Sequence, residues 1–173
     1  MNADHPKRKP TRLKNFDYSQ NRAFFVTVCT QERSEILADI CRGGALLLPI
    51  GKIVDREIKG LSQRYAVRVD KYVIMPNHIH MILLLRNHLH ENAASVTGVL
   101  CALKSRTTKL SNEMEGKPGR KIWQRSFHDH IIRDEEDYLK IWRYIDENPM
   151  RWEKDCFYQK SDLLEERIET SEK

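Results

Sequence analysis

Two histidines separated by one residue, His78 and His80, stand in an otherwise apolar run, HIHMILLL over residues 78–85. Alternate residues of an extended chain leave the same face, so both imidazoles point one way. Two neutral imidazoles at that spacing can share a divalent ion, and polar rings are out of character in so apolar a strand. Each ring can equally be a core histidine satisfied by a hydrogen bond. A second pair with the same spacing, His128 and His130, lies among Arg125, Asp129 and Arg133. Spacing does not choose between the pairs; a partner residue must.

Tyrosine supplies a nucleophile, and the segment 134–148 holds two. At 100° per residue, Tyr138, Leu139, Ile141, Trp142 and Ile145 cluster on one arc with Tyr138 near its middle, the position of a packing residue. Tyr144 sits at the flank of the arc, sharing a stripe with Lys140 and Asn148. A tyrosine there can keep its hydroxyl in a solvent-facing cleft, or be an ordinary boundary aromatic. Tyr144 and Asn148 are four apart, one above the other on a helix. If that stripe faces a histidine pair, the Asn148 amide oxygen can be a third ligand. Asn148 followed by Pro149 also reads as a helix N-cap with proline at the first helical position.

The elements that must position these groups follow from periodicity. Ala23–Thr30 (AFFVTVCT) is β-branched and aromatic, a short buried strand. Gly43, Gly44 and Pro49 break the chain, and Lys52–Tyr65 has helical spacing. Ala66–Met75 and His78–Leu85 form a hairpin across Pro76-Asn77. Ser95–Met114 is an amphipathic helix ended by the run Gly116-Lys117-Pro118-Gly119. Phe127–Arg133 is the last strand, and Asp134–Asn148 is a helix with acids at the positive end of its dipole. The expected fold is an α+β, ferredoxin-like (RRM-like) sandwich, with helices on one face of a small antiparallel sheet.

Composition bounds the rest. The 173 residues are 40% hydrophobic and 32% charged, which suits one domain and excludes wholesale disorder. No apolar run approaches ~20 residues, so no spanning helix and no membrane partner are expected. No signal-peptide core follows the basic N-terminus, and the four scattered cysteines form no C-x-x-C pair; a cytoplasmic protein with reduced thiols is expected. The formal charge is +5, but residues 161–173 hold five acids and two bases. Residues 1–160 therefore keep 28 bases against 20 acids, a net of +8 that fits a polyanion partner. The expected division is a flexible basic arm (1–22), a domain (23–152) and an acidic tail (153–173).

Several segments together resemble the single-tyrosine HUH transposases, above all the REP-associated tyrosine transposases. They are Phe24–Val28, the run Tyr72-Val73-Ile74-Met75-Pro76-Asn77-His78-Ile79-His80-Met81, the run Trp123–His130, and Asp137-Tyr138 leading to Tyr144-Ile145-Asp146-Glu147-Asn148-Pro149. The resemblance spans roughly residues 22–152. It implies that His78 and His80, not His128 and His130, hold a divalent ion (Mg²⁺ or Mn²⁺) with Asn148. It implies Tyr144, four residues before the Asn-Pro, as the nucleophile of a 5′-phosphotyrosine intermediate.

The implied partner is single-stranded DNA carrying a palindromic hairpin, in a bacterial, nucleoid-associated setting. The bases available for phosphates are the N-terminal arm, Lys104, Arg106, Lys109, Lys117, Arg120, Lys121 and Arg125. Trp123 can stack on an unpaired base or plug the sheet edge. Lys140, one turn before Tyr144, can lower the phenol's pKa, hold a phosphate, or be a solvated helix lysine. The resemblance leaves monomer and homodimer both open. Rival readings are a hairpin binder that has lost the chemistry, an RNA binder using the sheet surface, and a replication-initiator or relaxase-type nickase.

Overall fold

The computed structural model describes residues 17–41, 44–87 and 94–158. The basic N-terminal residues up to Lys14, the loop residues 88–93 and the acidic residues from Asp162 onward lie outside the described residues. In chain order the elements are β1 (Ala23–Cys29), β2 (Ala38–Cys41), β3 (Gly44–Leu47), α1 (Pro49–Lys59), α2 (Leu61–Arg64), β4 (Val67–Ile74), β5 (His78–Leu85), α3 (Val96–Glu115), β6 (His128–Ile132) and α4 (Glu135–Glu147). A 3-10 segment, Pro149–Lys154, follows α4 directly.

β4, β5, β1 and β6 form one antiparallel sheet in that order, which is the strand order of a ferredoxin-like sandwich. Alternation along β1 sorts its two faces. Phe24, Val26 and Val28 enter the main core with Ile79, Met81 and Leu83 of β5, beneath α1 and α3. Phe25 and Thr27 leave the other face, beside Ile82 and His80. A smaller cluster there joins Ile82, Ile141 and Ile145 to Phe25, Val73, Tyr138 and Trp142. α4 therefore covers the face opposite α1 and α3, which corrects the expectation of helices on one face. An apolar stripe requires a helix to be covered but does not say from which side.

Three other differences are local. β2 and β3 pair as a two-stranded antiparallel sheet where only a chain break was expected, because strands of four residues carry too few alternations to register. Pro49 begins α1 rather than interrupting the chain, since a first-turn proline lacks only an N–H that has no helical partner anyway. The helix expected over 52–65 divides at Gly60. The caps of α3 and α4 behave as their residue types dictate: Ser95 accepts from Gly98 N, and Asp134 from Asp137 N.

A β-bulge in β4 shifts the register between Val69 and Lys71 and leaves Asp70 as the extra residue. Asp70 accepts a hydrogen bond from the Tyr138 hydroxyl. Lys71, next along, pairs with Asp146 and places its ammonium 3.7 Å from the centre of the Trp142 ring. The helix bearing both tyrosines is thus held to the β4 edge by three side chains.

Candidate metal centre and nucleophile

His78 and His80 leave the α4 side of β5, and both are buried, at 0% and 1% exposure. Their Nε2 atoms lie 3.0 Å apart. The outer nitrogen of each ring is also engaged: His78 Nδ1 is 2.9 Å from Asn77 Oδ1, and His80 Nδ1 is 2.8 Å from Thr27 Oγ1. Burial, with a smaller contribution from Arg33, pushes the His78 pKa down to about 3. Burial also holds His80 well below the ordinary histidine range, reinforced by His78 and opposed by Asp155. Two neutral rings with converging nitrogens are the state in which imidazole binds metal.

The Tyr144 hydroxyl lies 3.2 Å from His80 Nε2 and 3.4 Å from Asp155 Oδ2. The residue keeps 40% exposure, as its flank position predicts, while its hydroxyl end points at the histidines. Its phenol is raised to about 12, first by burial and then by the Asp155 charge, with a hydrogen bond to Asn148 acting the other way. Asn148 is 2% exposed and makes no side-chain cap, contrary to the N-cap reading. Its backbone continues in helical geometry, so the side chain is free to turn inward, where Nδ2 donates to Asp155 Oδ2 at 2.8 Å. Its Oδ1 is buried without a hydrogen-bond partner.

These residues fit a divalent cation. An orphaned buried amide oxygen otherwise costs about 1–3 kcal/mol. The nitrogens of His78 and His80 and a carboxylate oxygen of Asp155 all lie within 4.8 Å of one another. A mixed imidazole and oxygen set suits ions such as Mn²⁺.

Comparison with known proteins bears on what such a site belongs to. Residues 25–148 match the family model described as "Transposase IS200 like". The chain belongs to the IS200-like transposase family. Two relatives come from Haemophilus influenzae: an uncharacterised protein 29% identical over 91% of this chain and 96% of its own, and a protein named as a candidate REP-associated tyrosine transposase, 26% identical over 78% and 74%. Among solved structures, a REP-associated tyrosine transposase bound to a REP hairpin aligns with a TM-score of 0.61 at 21% identity, covering 81% of this chain and 73% of that one. A candidate transposase from Deinococcus radiodurans aligns at 0.50 and 13%, covering 78% and 95%. The fold is that of these structures.

Within this IS200-like transposase, His128 and His130 are exposed on the outer strand β6, with His130 paired to Asp137 at 2.7 Å, away from the convergent nitrogens. Tyr138 packs in the small core, as its place on the apolar arc predicts. Leu139, read as part of the apolar arc, is exposed. Lys140 is exposed, and the groups that shift the Tyr144 phenol do not include it.

A groove of about 490 Å³ runs between α3 and the segment 119–125, and Lys104, Lys109, Arg120, Lys121 and Arg125 line it. Not all of these are available to a ligand. Lys104 donates to the carbonyls of Gln124, Arg125 and Ser126, and Arg120 is paired with Glu115. Arg106 lies outside this lining and pairs with the buried carboxylate of Glu57. Lys109, Lys121 and Arg125 are exposed. Trp123 is 6% exposed and donates its indole N–H to Thr107 Oγ1 at 2.9 Å, while its backbone bridges to Thr30. These contacts are those of a sheet-edge plug, and at 6% exposure little of the ring is open to a base.

Residues 153–158, assigned to the tail by composition, lie over the site. Phe157 sits 4.5 Å from the His78 ring centre, and Arg33 reaches across it to donate to the Cys156 carbonyl. Arg33 and its neighbour Glu32 both have φ 55°, a left-handed geometry that ordinary residues adopt at some cost. A cleft of about 540 Å³ opens beside Tyr144, lined also by Asn148, Arg151, Lys154 and Asp155. Sequence reasoning missed Asp155, Arg151 and Lys154. The repetition of acids and bases beyond residue 149 gives no periodicity from which they can be singled out.

Proposed function

We propose that this chain is a metal-dependent single-stranded DNA endonuclease and strand transferase that acts beside palindromic hairpins. Its nucleophile is Tyr144, and its cation ligands are His78, His80 and Asn148, with Asp155 adjoining. The observation that carries the reading is the Tyr144 hydroxyl 3.2 Å from His80 Nε2, which itself faces His78 Nε2 at 3.0 Å. Nucleophile and metal-binding nitrogens of one chain meet at one point, so the site needs no second copy to supply its tyrosine.

When bound, the cation supplies Lewis-acid polarisation of a phosphoryl oxygen. The chain's own groups do the rest. The phenol oxygen of Tyr144 forms a bond to phosphorus as the bond from phosphorus to the 3′ oxygen breaks, leaving a 5′-phosphotyrosine and a free 3′-OH. The phenol proton leaves toward Asp155 Oδ2, the carboxylate within reach, and the departing 3′ oxygen takes up a proton from solvent. Reversal by another strand's 3′-OH rejoins DNA without a nucleotide cofactor. Lys154 at the rim of the cleft is suited to a flanking phosphate, and Arg151 beside it is paired with Glu147. The exposed Lys109, Lys121 and Arg125 form a second basic surface for the hairpin, consistent with the REP hairpin named for the structural relative.

The test is incubation with a hairpin-bearing single strand and Mn²⁺, followed by a denaturing gel. A covalent adduct is expected for the natural chain and for Tyr138→Phe, and none for Tyr144→Phe. An adduct that survives Tyr144→Phe overturns the assignment of the nucleophile. A chain that binds the hairpin tightly and never forms an adduct is a non-catalytic binder.

A further inference from the structure

The residue before the first histidine is fully buried, and its carbonyl and both polar atoms of its side chain have partners. The Asn77 carbonyl accepts from Thr30 N at 2.9 Å and Thr30 Oγ1 at 3.0 Å, which ties the turn to the end of β1. Its side-chain Nδ2 donates to the carbonyl of Phe157 at 2.8 Å, and its Oδ1 faces His78 Nδ1 at 2.9 Å.

These contacts leave the amide one orientation. A backbone carbonyl only accepts, so the Asn77 nitrogen must face Phe157; turning the amide over would set two oxygens 2.8 Å apart. Its oxygen therefore faces the imidazole, and an amide oxygen also only accepts. His78 Nδ1 must carry the ring's proton. A neutral imidazole has one such proton, so Nε2 keeps its lone pair, and that atom faces His80.

His80 is held differently. Its Nδ1 partner is the Thr27 hydroxyl, which donates or accepts according to its rotation. His80 can thus give an Nε2 proton to His78 or present an Nε2 lone pair without any heavy atom moving. One ring is fixed and its neighbour is adaptable.

We propose that Asn77 is a positioning residue that locks His78 in its Nδ1–H tautomer, and that the Phe157 carbonyl, 80 residues along the chain, sets the orientation of Asn77. The consequence for metal binding rests on the function proposed above; the tautomer does not. Groups behind a metal ligand commonly contribute about 10- to 100-fold in affinity.

The experiment uses the full chain, first freed of metal. Nitrogen-15 NMR of the imidazoles is expected to show His78 protonated at Nδ1 and bare at Nε2. Asn77→Asp keeps an acceptor for that proton while losing the donor to the Phe157 carbonyl, and should retain the tautomer at some cost in stability. Asn77→Ala removes it and should populate the Nε2–H form. Calorimetry with Mn²⁺ should then show affinity about 10- to 100-fold weaker for Asn77→Ala than for the natural chain. An Nε2 proton on His78 in the natural chain overturns the inference, as does Asn77→Ala with unchanged tautomer and affinity. If Asn77→Ala does not fold, the natural chain and Asn77→Asp still decide the tautomer. Natural protein that shows the Nδ1–H form and binds no Mn²⁺ removes the metal reading and supports the role of Asn77.

Discussion

Tyr138 and Tyr144 are both tyrosines on one helix, six positions apart, one a packing group and the other with its hydroxyl at the histidine pair. Helical geometry alone distinguishes them: Tyr138 lies mid-arc and ends against Asp70, while Tyr144 lies at the flank and ends against His80. Tyr138→Phe should lower stability by about 1 kcal/mol in denaturant unfolding, the usual worth of one hydrogen bond, and leave the covalent adduct intact. The histidines make a pH prediction for metal-free protein. Their pKa values are depressed in the fold, to about 3 for His78 from an ordinary 6.5. Between those values the unfolded chain binds protons that the folded chain refuses, so stability falls as pH falls through that window and is level above it. Urea midpoints taken from pH 7 down should show the slope, and His78→Phe with His80→Phe should flatten it. At this scale the histidine pair, Tyr144 and Asn148 were legible from spacing and resemblance. Asp155 was not, because nothing local marks one carboxylate among several.

At the scale of elements, the position of Tyr144, the proposed nucleophile, depends on an irregularity. The bulge in β4 turns Asp70 toward α4, and Lys71 adds its contacts to Asp146 and Trp142. Asp70→Ala should slow adduct formation more than it weakens hairpin affinity, since it loosens the helix, and Asp70 lines neither the groove along α3 nor the cleft beside Tyr144; single-turnover cleavage beside a binding titration separates the two. On the other side of the sheet, α1 passes so close to the chain at Leu37 that a Cβ on Gly51 would lie 1.9 Å from its carbonyl oxygen. Gly51→Ala should therefore destabilise by at least about 1–3 kcal/mol, read as a fall in Tm. The strands and long helices were predictable because their periods repeat several times. The β2–β3 pair, the bulge and the side of the sheet chosen by α4 were not, since each depends on pairing between distant segments rather than on local pattern.

Over the whole molecule, charge is the property that composition reports and structure redistributes. The excess of bases is real, yet Arg106 and Arg120 are matched to Glu57 and Glu115, and Lys104 caps three carbonyls. Such bases stabilise the fold. In the groove along α3, Lys109, Lys121 and Arg125 stay exposed. Lys121→Ala should weaken hairpin binding and reduce the slope of log affinity against log salt by about one, whereas Arg106→Ala should leave that slope unchanged and lower Tm. Sequence composition pointed to a polyanion and could not say which bases meet it, because ion pairs formed on folding are invisible until the segments meet. Among the described residues no helix is long and apolar enough to cross a membrane.

The pairing of β1 with β5 sets Thr27 opposite His80 and Cys29 opposite His78. Side chains alternate with a period of two, so sliding β5 by one residue would turn both imidazoles into the apolar interior and bring Ile79 and Met81 out in their place. Such a misaligned chain would still be collapsed and helical, and circular dichroism would pass it as native. It would bind no cation. On the proposed metal site, titration with Mn²⁺ would therefore measure strand alignment as well as chemistry, and the fraction of a refolded sample taking it up would report how much found the correct pairing.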